Sequence, residues 1–461
     1  MIAVPFIYFS SLCGYFVWKH RHFGAEASMA FLYAISALAS IPVFQQDLIG
    51  IQYGTPLKTV GLIPTIVYCG LLTITILPFS QMNAEKITFI EKPKPWLFTL
   101  VSWTLIITFF CTVFVYIGDI RKTMAIGDLK MVRDMVYNGE SATKVSGIKY
   151  IFCLPETFLS ALGMVAIPFF LYSLCFTHNK WWFNLLLLLS STTAIVKSIL
   201  IAGRTQTIYW IFTFVACYCF FSPMMKSGYK HIIRILFTSV FGVVLLFFVA
   251  VTAARYYNVA QYAIQMLLLY IGEPFVEFCY FWDFFQSPDM SLQRILPFTH
   301  QFILGKNIDL EIYRAHVAAK SGLFIGVFFT FLGDLLIDIG RFGMMVYVLI
   351  YHIVARLLLR RKDPQVLPFH HILIWLLLIL LPLEGLFYYS FHTVRMSYYV
   401  IETILLVILF KYKIRLWHKN KEEEDTSLTS NLLTNSSLPT DFPQLQKHHN
   451  HAKSKHHHTL L

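Results

Sequence analysis

Residues 235–254 contain no charged side chain, and a helix of about 20 apolar residues is what it takes to span the hydrocarbon core of a bilayer. Comparable apolar runs recur at 2–18, 27–44, 60–79, 96–117, 154–177, 181–200, 207–223, 232–254, 341–359, 370–389 and 396–412. Backbone polar groups in lipid must be satisfied within their own segment, so runs of this length are expected to be helical. The expected fold is therefore an all-α polytopic membrane protein with about eleven transmembrane helices. Composition agrees: 13% of residues are charged and 57% hydrophobic, against roughly 25% charged in soluble chains.

The net charge of +12 does not indicate a nucleic-acid partner. The basic residues sit in short loops between apolar runs, where they set orientation, and they form no stripe along a polar helix face. Alternate loops carry Lys19/Arg21, Lys86/Lys92/Lys94, Lys180, Lys226/Lys230/Arg234, Arg356/Arg360/Arg361/Lys362 and Lys411/Lys413/Arg415/Lys419. All six fall on one side if the segments are counted correctly. This predicts an outer N-terminus and a cytoplasmic C-terminus. No basic residue precedes the first run, so it reads as an anchor rather than a cleaved signal.

Two further stretches, 263–285 and 323–339, are apolar enough to span. They contain Glu273, Glu277, Asp283, Asp334 and Asp338, and carboxylates in lipid are costly. If only one stretch crossed, the charge pattern downstream would invert. The expectation is that neither crosses, and that both dip into or lie along the outer face. The transmembrane domain then covers 1–415, with long outer loops at 118–153 and 255–340, the second partly helical or re-entrant. Loops of that length are usually functional or disordered, and the aromatic content of 255–340 argues against disorder. The tail, 416–461, is polar, His-rich and low in complexity, and is expected to be a disordered cytoplasmic segment. Cys153 and Cys279 both fall near the outer face and are candidates for pairing. No Cys/His spacing suggests zinc.

Ionisable residues at the membrane boundary are the functional candidates. Arg204, in a very short outer loop, and Arg255, at the outer end of another run, either snorkel to headgroups or clamp an anion through their planar guanidinium. Arg294 and Gly305 bracket a ten-residue stretch containing His300, and Arg314 and His316 follow. Histidine is suited to base chemistry near neutral pH, although a lone loop histidine is more often simply exposed. Asp334, Asp338 and Arg341 would share one face of a continuous helix, as an internal salt bridge or as a catalytic carboxylate with an orienting partner. His392 and Arg395 lie in a tyrosine-rich outer turn, which suits either an interfacial belt or sugar stacking. Lys197 and Glu384 are the main charges within runs. The early outer segment holds only Asp47, without the acidic pair of metal-dependent transferases, so no metal or cofactor is expected.

Gly203-Arg204-Thr205, Ala254-Arg255-Tyr256-Tyr257, the Arg294–Gly305 spacing and the Gly333, Asp334, Asp338, Gly340, Gly343 pattern together resemble the bacterial oligosaccharide repeat unit polymerases, the Wzy-like polymerases of O-antigen and capsule. The resemblance covers roughly 1–415 and excludes the tail. It implies transfer of a glycan from undecaprenyl diphosphate to the non-reducing end of a fresh lipid-linked repeat, at the periplasmic face of a bacterial inner membrane. In that reaction Arg204, Arg255, Arg314 and Arg341 would hold the departing diphosphate. His300, His316 or Asp334 would accept the proton of the acceptor hydroxyl. The implied partners are the lipid-linked oligosaccharide, membrane lipids and a chain-length regulator protein. The competing expectations are an O-antigen ligase, a transporter or flippase of lipid-linked oligosaccharides, and a membrane scaffold.

Overall fold

The computed structural model describes residues 1–53, 60–126, 147, 149–177, 179–200, 205–239, 242, 260–286, 290, 292–305, 310–323 and 328–412, with only the backbone path at 52–53, 123–126, 260–263, 310–312 and 314. The chain is almost entirely helical: α1 Val4–His20, α2 Ala25–Gln45, α3 Leu48–Tyr53, α4 Leu62–Ile76, α5 Pro95–Ile126, α6 Lys149–Leu159, α7 Ala166–Phe176, α8 Trp181–Ser190, α9 Thr193–Leu200, α10 Thr205–Phe221, α11 Ala260–Phe284, α12 Leu310–Ser321, α13 Thr330–Leu358, α14 Phe369–Glu384 and α15 Val394–Lys411. Among the described residues, seven helices are long and apolar enough to cross a membrane, and α8 with α9, bent by 43°, would make an eighth. The chain is a multi-pass membrane protein by this measure.

The count differs from eleven for physical reasons. α1 and α14 have 17 and 16 residues, at the lower edge of the spanning length. α15 carries Arg395, Glu402 and Lys411. Most of 232–254 lies outside the described residues, as do 413–461.

One end of the bundle gathers basic loops. His20 Nδ1 lies 2.8 Å from Asn83 Nδ2, and His22 Nδ1 lies 3.4 Å from Glu85 Oε1. Arg361 donates to the Gln81 carbonyl at 3.1 Å. Two short strands, β1 Phe89–Ile90 and β2 Val366–Leu367, pair in parallel there. The loops carrying Lys19/Arg21, Lys86 and Arg360/Arg361/Lys362 therefore meet at one end, as their shared charge predicts.

α11 has the length and apolarity of a span, yet both its ends meet the end of the bundle opposite these loops. Gln265 donates to Gln46 (3.4 Å), just past the C-terminus of α2. At the other terminus Asp283 sits against Gly61, which precedes α4, and the Trp282 carbonyl accepts from Arg341. Since α2 begins and α4 ends at the basic end, α11 runs across the bundle rather than through it.

Small residues allow that arrangement. Ser36 donates to the Ile271 carbonyl at 2.7 Å, and a Cβ on Gly272 would stand 2.4 Å from the Ala39 carbonyl carbon and oxygen. Backbones approach this closely only where side chains are absent. Gly272→Ala should cost about 1–3 kcal/mol through overpacking, read as a lower melting temperature in detergent. Adding Ala39→Gly should not rescue it, since the clash is with backbone. Rescue would show that α2 and α11 are not held this closely.

Candidate functional site

The site forms where three elements meet at the end opposite the basic loops. α13 is broken at Gly340 (φ 73°, ψ 175°), a backbone conformation open essentially to glycine alone. The break separates a short helix, 330–339, from the span-length helix 341–358. Gly340 thus overrides the expected alignment: Asp334 and Asp338 share a face, but Arg341 does not join them. It is exposed, donates to the Trp282 carbonyl and lies 5.3 Å from the Trp282 ring centroid. There it satisfies one of the last carbonyls of α11, a helix C-terminus that welcomes a cation.

The short helix starts against the C-terminus of α14. Thr330 N donates to the Phe387 carbonyl at 3.1 Å, and Phe331 N donates to the Gly385 carbonyl at 2.8 Å. Two sets of orphan backbone groups thereby satisfy each other.

Asp334 and Asp338 grip the second element, the segment 290–305. Asp334 is 1% exposed and forms an ion pair with Arg294, which is 4% exposed. Its other oxygen accepts from the backbone N–H of Tyr389, in the third element, the turn after α14. Asp338 accepts from the N–H of Ile295 at 3.1 Å through its carboxylate, and from Met290 N at 2.9 Å through its carbonyl. One carboxylate therefore holds the Arg294 side chain and the other holds the next peptide. Arg294 also stacks 5.7 Å from the Tyr313 and Phe329 ring centroids.

Strain is concentrated in these elements. Of the five non-glycine residues with positive φ among those described, Met290, Leu292 and Thr330 belong to this site. For a β-branched residue such as Thr330 this is a true outlier, and such strain tends to persist at functional sites.

The other sequence candidates divide as follows. His300 is buried in a π-helical turn, Thr299–Ile303, on the same segment as Arg294. His316 is exposed on α12, the helix that brings Tyr313 to Arg294. Arg314 lies on α12, with its side chain outside the described residues. Arg204 and Arg255 also lie outside the described residues. His392 Nδ1 is 2.5 Å from the Tyr389 carbonyl, so it braces the turn that binds Asp334. Cys153 and Cys279 are not paired: Cys279 is fully buried on α11, whereas Cys153 Sγ sits 3.6 Å from Thr157 Oγ1 on α6.

Sequence reasoning marked Arg294 only as the start of a spacing, and it missed the Gly340 break and the Tyr389 amide. The signal for the break was a glycine between two helix-compatible apolar stretches, which by itself also fits a continuous helix. Among the described residues, no group of three or more His, Cys, Asp or Glu side chains is placed to hold a metal ion. Comparison with family models, curated proteins and solved structures finds no match to this chain.

Proposed function

We propose that the protein polymerises undecaprenyl-diphosphate-linked oligosaccharide repeats at the periplasmic face of a bacterial inner membrane. The observation that carries this reading is a buried arginine, Arg294, clamped by Asp334 in a strained segment at the bundle end away from the positive loops. A basic loop side is normally cytoplasmic, so this site would face outward, where no nucleotide sugar is present and a lipid diphosphate is the available leaving group. In this reading α11 and 330–339 do not cross, which keeps the expected alternation of basic loops.

In this reading an acceptor hydroxyl attacks the anomeric carbon of the donor glycan. The new glycosidic C–O bond forms as the bond to the diphosphate breaks, the hydroxyl proton passes to a base, and lipid diphosphate departs. Arginines placed in advance stabilise the charge that develops on the departing group. Arg294 joins Arg204, Arg255 and Arg314 in that role, while Arg341 serves the end of α11. Asp334 has an oxygen on Arg294 and another on a backbone N–H, so it positions rather than accepts a proton. That leaves His300 or His316 as base.

The test uses the purified full chain in nanodiscs with a synthetic lipid-diphosphate-linked repeat and no nucleotide sugar. Wild type should give a ladder of longer glycans, and Arg294→Gln should slow it by about 100-fold or more, the scale of losing one electrostatic stabiliser. A wild type that forms no glycosidic bond would sink the polymerase reading. A ligase would instead need a lipid A core acceptor.

A lipid-linked oligosaccharide transporter is the second reading, favoured by the broken helices α8/α9 and α13, a feature of transporter binding sites. It predicts movement of the glycan across the bilayer without bond formation.

A further inference from the structure

A second group of buried charges lies apart from Arg294 and Asp334, where α5, α6, α9 and α15 converge. Glu156 on α6 is 1% exposed. It accepts from Lys197 Nζ at 2.7 Å and from the Tyr116 hydroxyl at 3.0 Å. Lys149 Nζ donates to the Val115 carbonyl at 3.2 Å, one residue before Tyr116. Arg395, in the first turn of α15, interacts electrostatically with Glu156, Tyr116 and Glu402. Among the described residues, the buried Nη2 of Arg395 and the buried Oε2 of Glu402 have no hydrogen-bond partner.

These contacts do not add up to a closed structural salt bridge. Lys197 and Arg395 match Glu156 and Glu402 in number, but Arg395 and Glu402 are not closed on one another. Each oxygen of Glu156 is already engaged, and Lys197 keeps 37% of its side chain exposed, with further N–H donors to offer. A buried guanidinium N–H without an acceptor is costly, and an incoming anion would supply the acceptor. The hydrophobic core is interrupted here as well: Val115, Tyr116 and Ile120 form a small cluster separate from the main core.

Aromatic rings border the group and lead to the first site. Phe158, on α6 two residues after Glu156, lies 5.9 Å from Tyr398, three residues after Arg395. Tyr398 in turn lies 6.1 Å from Phe298 and 6.3 Å from Phe302, both in the segment that carries Arg294. Phe158 and Phe302 are 49% and 53% exposed, available to stack on a sugar or an isoprenoid.

We infer that Lys197 and Arg395 form a second anion subsite, which takes the diphosphate of a second lipid-linked glycan. The inference rests on the polymerase reading. That reaction joins two molecules, each of which carries its own diphosphate, and a group spent on the departing one cannot also hold the other. Glu402 sets the affinity by opposing the anion.

The experiment titrates undecaprenyl diphosphate into the full chain in nanodiscs of neutral lipid and reads stoichiometry by native mass spectrometry. Wild type should bind two. Lys197→Gln with Arg395→Gln should bind one, and so should Arg294→Gln with Asp334→Asn. Arg395→Lys, which keeps the charge, should still bind two. Glu402→Gln should tighten one site by about tenfold or more, because it removes a like charge facing the ligand. A purely structural network would only lose stability on that change. Inorganic pyrophosphate should compete at both sites. Two molecules still bound to the Lys197/Arg395 variant would overturn the subsite, as would equal competition by phosphatidylglycerol. A single molecule bound to wild type would overturn the subsite and leave the polymerase reading standing, whereas none would remove both.

Discussion

Asp334→Leu should destabilise the protein by about 3–5 kcal/mol, because it strands a buried guanidinium without its counter-ion. Arg294→Met should cost a similar amount by stranding the carboxylate. The double substitution should cost less than either single one, since two apolar side chains of similar size remove both desolvation penalties at once. The pair is 4% and 1% exposed, so solvent screening does little to soften these effects. The measurement is a double-mutant cycle on chemical or thermal unfolding in detergent. Costs that simply add would show that the two residues do not interact in the folded protein. The double variant also separates fold from the proposed chemistry: it should fold and, on the polymerase reading, extend no glycan.

Gly340→Val should be the most damaging single change for activity. Its φ of 73° with ψ of 175° lies where a side chain meets its own backbone, and holding another residue there costs about 1–3 kcal/mol. The chain's cheapest escape is to make 330–358 one continuous helix. That rotation would carry Asp334 and Asp338 away from Arg294 and Ile295 and would free the 290–305 segment. Polymer formation should fall to background, and limited proteolysis should cut within 290–305 under conditions that leave wild type whole. Gly340→Ala should show the same direction more weakly. A Val variant with a protected segment and full activity would mean that the break is incidental.

Most of the fold was legible in the sequence because it follows from one-dimensional signals. Apolar length predicts helices, and the Lys/Arg alternation predicts which loops meet: the β1–β2 pairing unites loops that share charge. Glu273, Glu277 and Asp283 also marked 263–285 as unfavourable for a lipid-exposed span. The helix keeps its length because two of them, Glu273 and Glu277, are buried in protein, at 1% and 3% exposure. The site was legible only as a list. Asp334 and Arg294 are forty residues apart, and nothing local says that they pair. The same holds for Glu156 with Lys197, whose contact depends on the packing of three helices. Arg341 was misplaced because helical periodicity assumes continuity, and a single left-handed glycine cancels it. Arg204 and Arg255 lie outside the described residues, so the role proposed for them rests on the sequence.

A segment that leaves and rejoins the bundle at the same end adds no traverse. α11 and the short helix before Gly340 can therefore be lengthened, trimmed or exchanged without reversing the sidedness of any later helix. A chain built this way separates two kinds of change. The membrane threading, written in lysines and arginines, stays fixed, while the segments at the opposite end are free to be remodelled.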